Sequence, residues 1–212
     1  MKIAIIGAAG WIGNEVLVEA KSRGHQVIAL VRDPAKITDN QVEVRQFDIT
    51  DTKLSLADAV QGADVVVSTV SGRHNGDHSI FSTAATRLLN ELPETLVNRL
   101  VWVGGAGSLE IAPGVPLISS EHFPEEYKAE AQGMSEALDL FRASDSSVNW
   151  TFISPAANIF PGEKTGTYRT GKDQLLVDEK GESNISASDY AIALVDEIAS
   201  AKNPQQRICV AY

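Results

Sequence analysis

Lys2-Ile3-Ala4-Ile5-Ile6-Gly7-Ala8-Ala9-Gly10-Trp11-Ile12-Gly13 opens the chain, and its reading decides the fold. Lys2–Ile6 is a short apolar run rich in β-branched residues, the pattern of a strand covered on both faces. Three glycines follow at Gly7, Gly10 and Gly13, and Trp11–Arg23 then reads as a helix closed by Gly24. Each glycine has a physical task. The first permits a tight turn out of the strand, the second removes a Cβ from the path of an approaching pyrophosphate, and the third lets the helix pack close to the sheet. The first N–H groups of the helix, at the positive end of its dipole, then face the phosphates. A glycine pattern alone is weak evidence, and its alternative is a turn with no ligand. Here strand, helix and following strand stand in the required order, so a dinucleotide site is expected at Gly7, Ala9, Gly10, Trp11, Ile12 and Gly13.

Outward from this turn, strand and helix patterns alternate. Strands are expected at Gln26–Val31, Val42–Phe47, Ala63–Val70, Arg99–Val103 and Asn149–Ile153, and helices at Thr52–Val60, Asp77–Leu92 and Pro124–Ala143. Residues 32–41 hold Pro34 and read as loop. With Lys2–Ile6 this makes six strands, the signature of an α/β fold: a Rossmann-type, doubly wound parallel sheet. After Pro155 the texture changes to glycines and short apolar runs, with strand candidates at Gln174–Val177 and Ser183–Ile185. Ser188–Ala201 is a helix that Ser186 or Ser188 would cap, and Arg207–Ala211 is a last strand. The tail is too broken for a core of its own. Residues 1–212 are therefore read as one domain, with residues 156–187 as a small C-terminal cap on the substrate side, over the carboxyl edge where such sheets bind ligands.

The end of the second strand bears on which dinucleotide fits. An Asp or Glu there holds the ribose 2′-hydroxyl of NAD, and an Arg accommodates the 2′-phosphate of NADP. Arg32 stands first after the strand and Lys36 can reach the same anion, so NADP is favoured. Asp33, one residue late, keeps NAD open, and Arg32 paired with Asp33 as a solvated loop charge is the plainer alternative. Asp48-Ile49 follows the third strand, placed to flank adenine, or for Asp48 simply to cap the next turn. Thr69, Val70 and Ser71 end the fourth strand near the nicotinamide ribose. Gly104 and Gly105 end the fifth, and Ser154-Pro155 the sixth, where backbone often meets the carboxamide.

Composition limits the partners. The chain has 212 residues, 43% hydrophobic and 22% charged, with a formal net charge of −10. No run of Lys or Arg exceeds two residues, which argues against nucleic acid and anionic membrane surfaces. Cys209 is the only cysteine, so no intrachain disulfide can form, in keeping with a reducing cytosol. No stretch approaches the ~20 apolar residues of a membrane span. A cytoplasmic monomer or homodimer acting on a small molecule is expected. His74 and His78 stand four apart, but without a third ligand they read as solvated loop histidines rather than a metal site. His25 reads as a surface residue, and Trp102 and Trp150 as core. Ser108, His122, Tyr127, Phe160 and Tyr168 are candidate walls of a substrate pocket.

The motifs together resemble the atypical branch of the short-chain dehydrogenase/reductase superfamily, in particular the NAD(P)H-flavin reductase group with its NmrA-like and biliverdin-reductase-B-like relatives. Gly-Ala-Ala-Gly-Trp-Ile-Gly at 7–13, Val-Arg-Asp-Pro-Ala-Lys at 31–36 and Asp48-Ile49 carry the resemblance. So do Val-Gly-Gly-Ala-Gly-Ser-Leu-Glu at 103–110, Phe-Pro-Glu-Glu-Tyr-Lys at 123–128 and Trp-Thr-Phe-Ile-Ser-Pro-Ala at 150–156. It spans nearly the whole chain. The orthodox superfamily reduces carbonyls with a Ser after the fifth strand and a Tyr-x-x-x-Lys on the next helix. This chain departs from that set: the strand ends in Gly104-Gly105-Ala106, Ala131 stands four places after Tyr127, and Gln132 occupies the expected lysine. Lys128 adjoins Tyr127, but helical neighbours point about 100° apart.

A ketone needs a proton for its developing alkoxide, so these departures argue against alcohol dehydrogenase, epimerase and dehydratase chemistry. A conjugated ring delocalises the incoming charge and can take its proton from water. The resemblance therefore implies a reductase of flavin or quinone, with no protein acid–base residue and with flavin as substrate rather than tightly bound group. The alternative is a non-catalytic NAD(P) sensor of the NmrA type.

Overall fold

A computed structural model describes residues 1–73 and 76–212. In chain order the elements are β1 (Lys2–Ile6), α1 (Trp11–Ser22), β2 (Gln26–Val31), β3 (Glu43–Gln46), α2 (Leu56–Val60), β4 (Val65–Ser68), α3 (Ile80–Glu91), β5 (Arg99–Val103), β6 (Glu110–Ala112), β7 (Val115–Pro116), α4 (Glu125–Ala143), β8 (Asn149–Ser154), β9 (Asn158–Phe160), β10 (Arg169–Gly171), β11 (Asn184–Ser186), α5 (Ala187–Ser200) and β12 (Gln206–Ala211). Eight strands form one sheet in the order β10-β12-β8-β5-β4-β1-β2-β3, with every neighbouring pair parallel except β10 and β12. The fold is the expected Rossmann-type α/β sheet. Strand order reverses direction at β1, between β2 and β4. The loops after β1 and β4 diverge there, opening the crevice in which such sheets hold ligands.

Alternation along the strands splits the core in two. Ile6, Leu30, Val66, Trp102 and Phe152 face α2, α3 and α4, while Ile5, Ala29, Val67, Val101 and Ile153 face α1 and α5. Trp102 and Trp150 lie in the first layer, 0% and 5% exposed, as their strand positions predict. Covered on both faces, the central strands have no solvent side, which is why they read as continuous apolar runs.

The differences from the expected elements have local causes. The second helix starts at Leu56 rather than Thr52, because Ser55 accepts from Asp58 N–H and Asp51 accepts from Lys53 N–H, which takes residues 51–55 into turns. Ser186, not Ser188, caps α5, accepting from Asp189 N–H at 3.1 Å. Gln174–Val177 is not a strand: Gln174 makes only an isolated bridge to Glu110. The antiparallel edge strand is instead β10, whose Gly171 lies so close to Cys209 that a Cβ would come within 3.0 Å of its sulfur. The β6–β7 hairpin turns at Gly114 with φ +72°, a feature its short apolar content did not signal. Among the described residues no helix is long and apolar enough to cross a membrane.

The tail packs against the α1–α5 face. β9 and β11 pair in parallel, and the fully buried Asp189 accepts from Thr165 N and Oγ1, Gly166 N and the Tyr212 hydroxyl. Burial pushes this carboxyl up, but those four donors outweigh it and hold its pKa below the ordinary value. Lys164 reaches across to Glu19 on α1, a second tie.

Candidate functional site

The turn after β1 is built by steric exclusion. Gly7 has φ +84°, its N–H donates to Leu30 O at 3.0 Å, and its carbonyl accepts from Gly10 N–H at 2.8 Å. A Cβ on Gly13 would stand 2.2 Å from Gly7 O and 2.8 Å from Thr69 Oγ1, so only glycine lets α1 sit this close to the sheet. Thr69 Oγ1 donates to Ile6 O at 2.8 Å, which ties the end of β4 to the end of β1 beside the turn. Gly10 differs from both. Its φ is −76°, and the sole contact of a Cβ there is Gly7 O at 3.2 Å, so the space beyond it is open.

The N-terminus of α1 is left open. Gly10 gives it no side-chain cap and no acid stands in its first turn, as at α3, whereas α2 has Ser55 and Asp58, α4 has Glu125 and Glu126, and α5 has Ser186 and Asp189. The first bond inside α1 is Asn14 N–H to Gly10 O, so the N–H groups of Trp11, Ile12 and Gly13 precede the intrahelical ladder. Donors, a positive dipole end and a missing Cβ meet at one spot. That cradle fits a pyrophosphate. Ala9 and Trp11 are exposed at its rim, Trp11 by 42%.

At the end of β2, Arg32 is exposed and its guanidinium has no carboxylate partner among the described residues; only its carbonyl is engaged, by Gln46. The pairing of Arg32 with Asp33 does not form, because Asp33 turns to cap Pro34–Lys36, accepting from Ala35 N–H at 3.1 Å. Lys36 is exposed at the end of that turn. Asp48 accepts from Thr50 N–H and Oγ1 through one oxygen, which is the turn-capping alternative. Ile49 is 4% exposed and packs in the core, so its side chain offers little surface to a ring. Sequence reasoning missed Arg87. From α3 this buried residue donates to the carbonyls of Ile49 at 3.0 Å and Asp51 at 2.9 Å, and to that of Leu54, fixing the loop after β3. Nothing short of the long-range packing signals it.

On the other side of the switch point, β5 ends in bare backbone. A Cβ on Gly104 would strike the Phe152 ring at 2.1 Å, and one on Gly105 would meet Met134 at 3.1 Å. Ser154, fully buried, ends β8 with its hydroxyl unpartnered, and Pro155 is buried beside it. Val70 packs partly into the core, and Ser71 Oγ accepts from Arg73 N–H. Arg73, a second residue missed from sequence, lies over the Tyr127 ring at 5.5 Å and pairs with Glu130 at 2.6 Å, joining the loop after β4 to α4. Tyr127 is 47% exposed, while Lys128 turns away to Glu125 and Gln132 to Glu136.

Two expected pocket residues are elsewhere. Ser108 is held by Arg207, whose guanidinium donates to its hydroxyl and its carbonyl. Tyr168 donates to Asp196 at 2.5 Å, and Asp196 accepts from Arg23 just past the end of α1, the end opposite the glycine turn. Burial, then Asp196, pushes the Tyr168 hydroxyl far above its ordinary range, so it is a fixed structural donor. Phe160 is half-buried in β9 and His122 is exposed before α4. His74 lies outside the described residues. His78 is not the solvated residue expected: it stacks on Phe81 at 6.2 Å with Nδ1 buried.

The chain matches the NAD(P)H-binding family over residues 7–201. A Burkholderia pseudomallei protein provisionally named as exported is 43% identical, with a TM-score of 0.91 over the full length of both chains. A Streptococcus pneumoniae protein provisionally named an NADH-flavin reductase is 35% identical, covering 100% of this chain and 99% of that one, with a TM-score of 0.90. A Bacteroides thetaiotaomicron protein provisionally named an epimerase is 36% identical over 100% and 96%, with a TM-score of 0.89.

Proposed function

The chain belongs to the NAD(P)H-binding family, and from that footing we propose that it is an NADPH-preferring reductase of a flat conjugated acceptor, flavin first and quinone second. Gly7, Gly10, Gly13 and the first turn of α1 would hold the pyrophosphate, Arg32 and Lys36 the 2′-phosphate, and the ends of β4, β5 and β8 the nicotinamide side. The bound nucleotide supplies the hydride; the protein supplies position, holding donor and acceptor rings in contact.

The observation that supports the reading is the surface at the end of β5, beside which the nicotinamide would lie. Its floor is the backbone of Gly104 and Gly105, where the Phe152 ring leaves no room for a side chain at the first of these. Lys128 is paired with Glu125 at 2.6 Å rather than with Tyr127. An alkoxide would find no Tyr–Lys relay there, whereas a reduced flavin or quinone ring spreads its charge and needs none. The epimerase name of the Bacteroides relative points the other way, since epimerisation calls for a protein acid or base.

Tyr127→Phe separates the two chemistries. The variant keeps the ring beneath Arg73 and removes only the hydroxyl. Steady-state flavin reductase rates across pH should stay within a few-fold of wild type, with no change in profile. Removal of a working general acid would instead cost about a hundredfold or more and erase a basic-limb pKa.

A further inference from the structure

At the edge of the sheet opposite the glycine turn, where β8 and β12 begin and α4 ends, lies a recess of about 410 Å³. Six-residue strands span roughly 20 Å, so this recess and the dinucleotide crevice are separate sites. Arg142, Lys172 and Arg207 line it with a single carboxylate, Asp173. Both guanidiniums converge on one oxygen: Arg142 Nη2 lies 2.6 Å from Asp173 Oδ1, Arg207 Nη2 2.5 Å and Arg207 Nε 2.8 Å. The Arg207 side chain is only 2% exposed. Lys172 has no partner among the described residues. Three cations against one anion leave a local balance of +2 in a chain whose net charge is −10.

Buried or convergent cations are stable when their donors are met; Arg207 is satisfied by Asp173 and Ser108, whereas Arg142 has only the shared carboxylate oxygen among the described residues. Gln205, also on the lining, is held at φ +51°, a conformation that side-chain-bearing residues rarely adopt. Its N–H donates to Trp150 O at 2.7 Å, which fixes the backbone of this lining residue. A glycine would relax that turn and remove the polar group.

We propose that this recess is a second ligand site, which takes a small metabolite through a phosphate or carboxylate oxyanion. Arg142 and Lys172 contact the anion from the rim, while Arg207 beneath them fixes Asp173 and adds its charge to the field of the recess. The recess is connected to the first site. Arg207 holds Ser108, and Asp173 O accepts from Glu110 N–H at 2.8 Å, so its occupant acts on the segment that leaves Gly104 and Gly105. The volume lies within the range of small-molecule sites.

Calorimetric titration with pyrophosphate and with citrate, at ionic strength fixed by sodium chloride, tests this. Because pyrophosphate also suits the glycine turn, the protein titrated is Gly10→Val, in which that turn is obstructed. Binding of either probe is expected, and Arg142→Gln with Lys172→Gln in the same background should weaken it roughly tenfold or more. Lys172→Gln alone, a surface change, should weaken it severalfold. A pyrophosphate-only result assigns a phosphate ligand, and a citrate-only result a carboxylate. No binding to Gly10→Val, or binding unaffected by these substitutions, overturns the proposal. Neither outcome depends on the acceptor chemistry proposed above.

Discussion

Gly10→Val is expected to abolish NADPH binding, a loss of at least a hundredfold in affinity, while the protein still unfolds cooperatively at a temperature close to wild type. The backbone licenses the separation. Gly10 sits at φ −76°, which valine adopts without strain, and a Cβ there meets only Gly7 O at 3.2 Å. The added methyl groups project into the open space over the first turn of α1, where a phosphate oxygen must approach within about 3 Å of an N–H to bond it. The contact with Gly7 O is tight and requires the turn to yield by a few tenths of an ångström, a small cost beside the loss of the phosphate site. Gly13 makes the contrast: a Cβ would collide with Gly7 O at 2.2 Å, so Gly13→Val should damage the strand–helix junction itself. Calorimetry with NADPH and a thermal melt on each variant separate the effects. Undiminished affinity in folded Gly10→Val would remove the pyrophosphate from this turn.

Arg32→Ala should weaken NADPH by tens-fold and leave NADH almost unchanged. A guanidinium–phosphate pair is worth on the order of 2 kcal/mol where its second charge is bound nearby and solvent is partly excluded, which is tens-fold in affinity. Arg32 is free of carboxylate partners among the described residues, and Asp33, the competitor for a ribose hydroxyl, is turned to its own 3₁₀ turn. The wild-type preference for NADPH is thus expected to collapse in the variant. Equal losses for both cofactors would show that Arg32 does not read the 2′-phosphate.

The legible parts of this molecule are those whose cause is local. Gly13 is demanded chiefly by Gly7 O within one turn, and Gly7 by a positive φ that the turn itself requires, so their spacing carried the strand–turn–helix junction, although Thr69 from the end of β4 adds a long-range demand on both. The central strands announced themselves as apolar runs because both their faces are covered. Arg87 and Arg73 were invisible for the opposite reason. Each acts on a segment far away in the chain: Arg87 on the loop after β3, and Arg73 on α4, at Tyr127 and Glu130. The errors follow the same division. Ser108 and Tyr168 were placed in the pocket on chain order alone, but β12 brings Arg207 to Ser108, and the tail carries the Tyr168 hydroxyl to Asp196. Gln174–Val177 has a strand's composition, yet the edge went to Arg169–Gly171, where a glycine permits closer approach to Cys209.

The measurement that bears most directly on the central claim is NADPH oxidation by the purified protein against FMN, FAD, a small quinone series and matched aliphatic ketones. The account predicts saturable turnover with at least one flavin or quinone, faster than with any ketone, retained by Tyr127→Phe and absent from Gly10→Val. Preferential ketone turnover, or tight NADPH binding with no turnover of any conjugated acceptor, would contradict it.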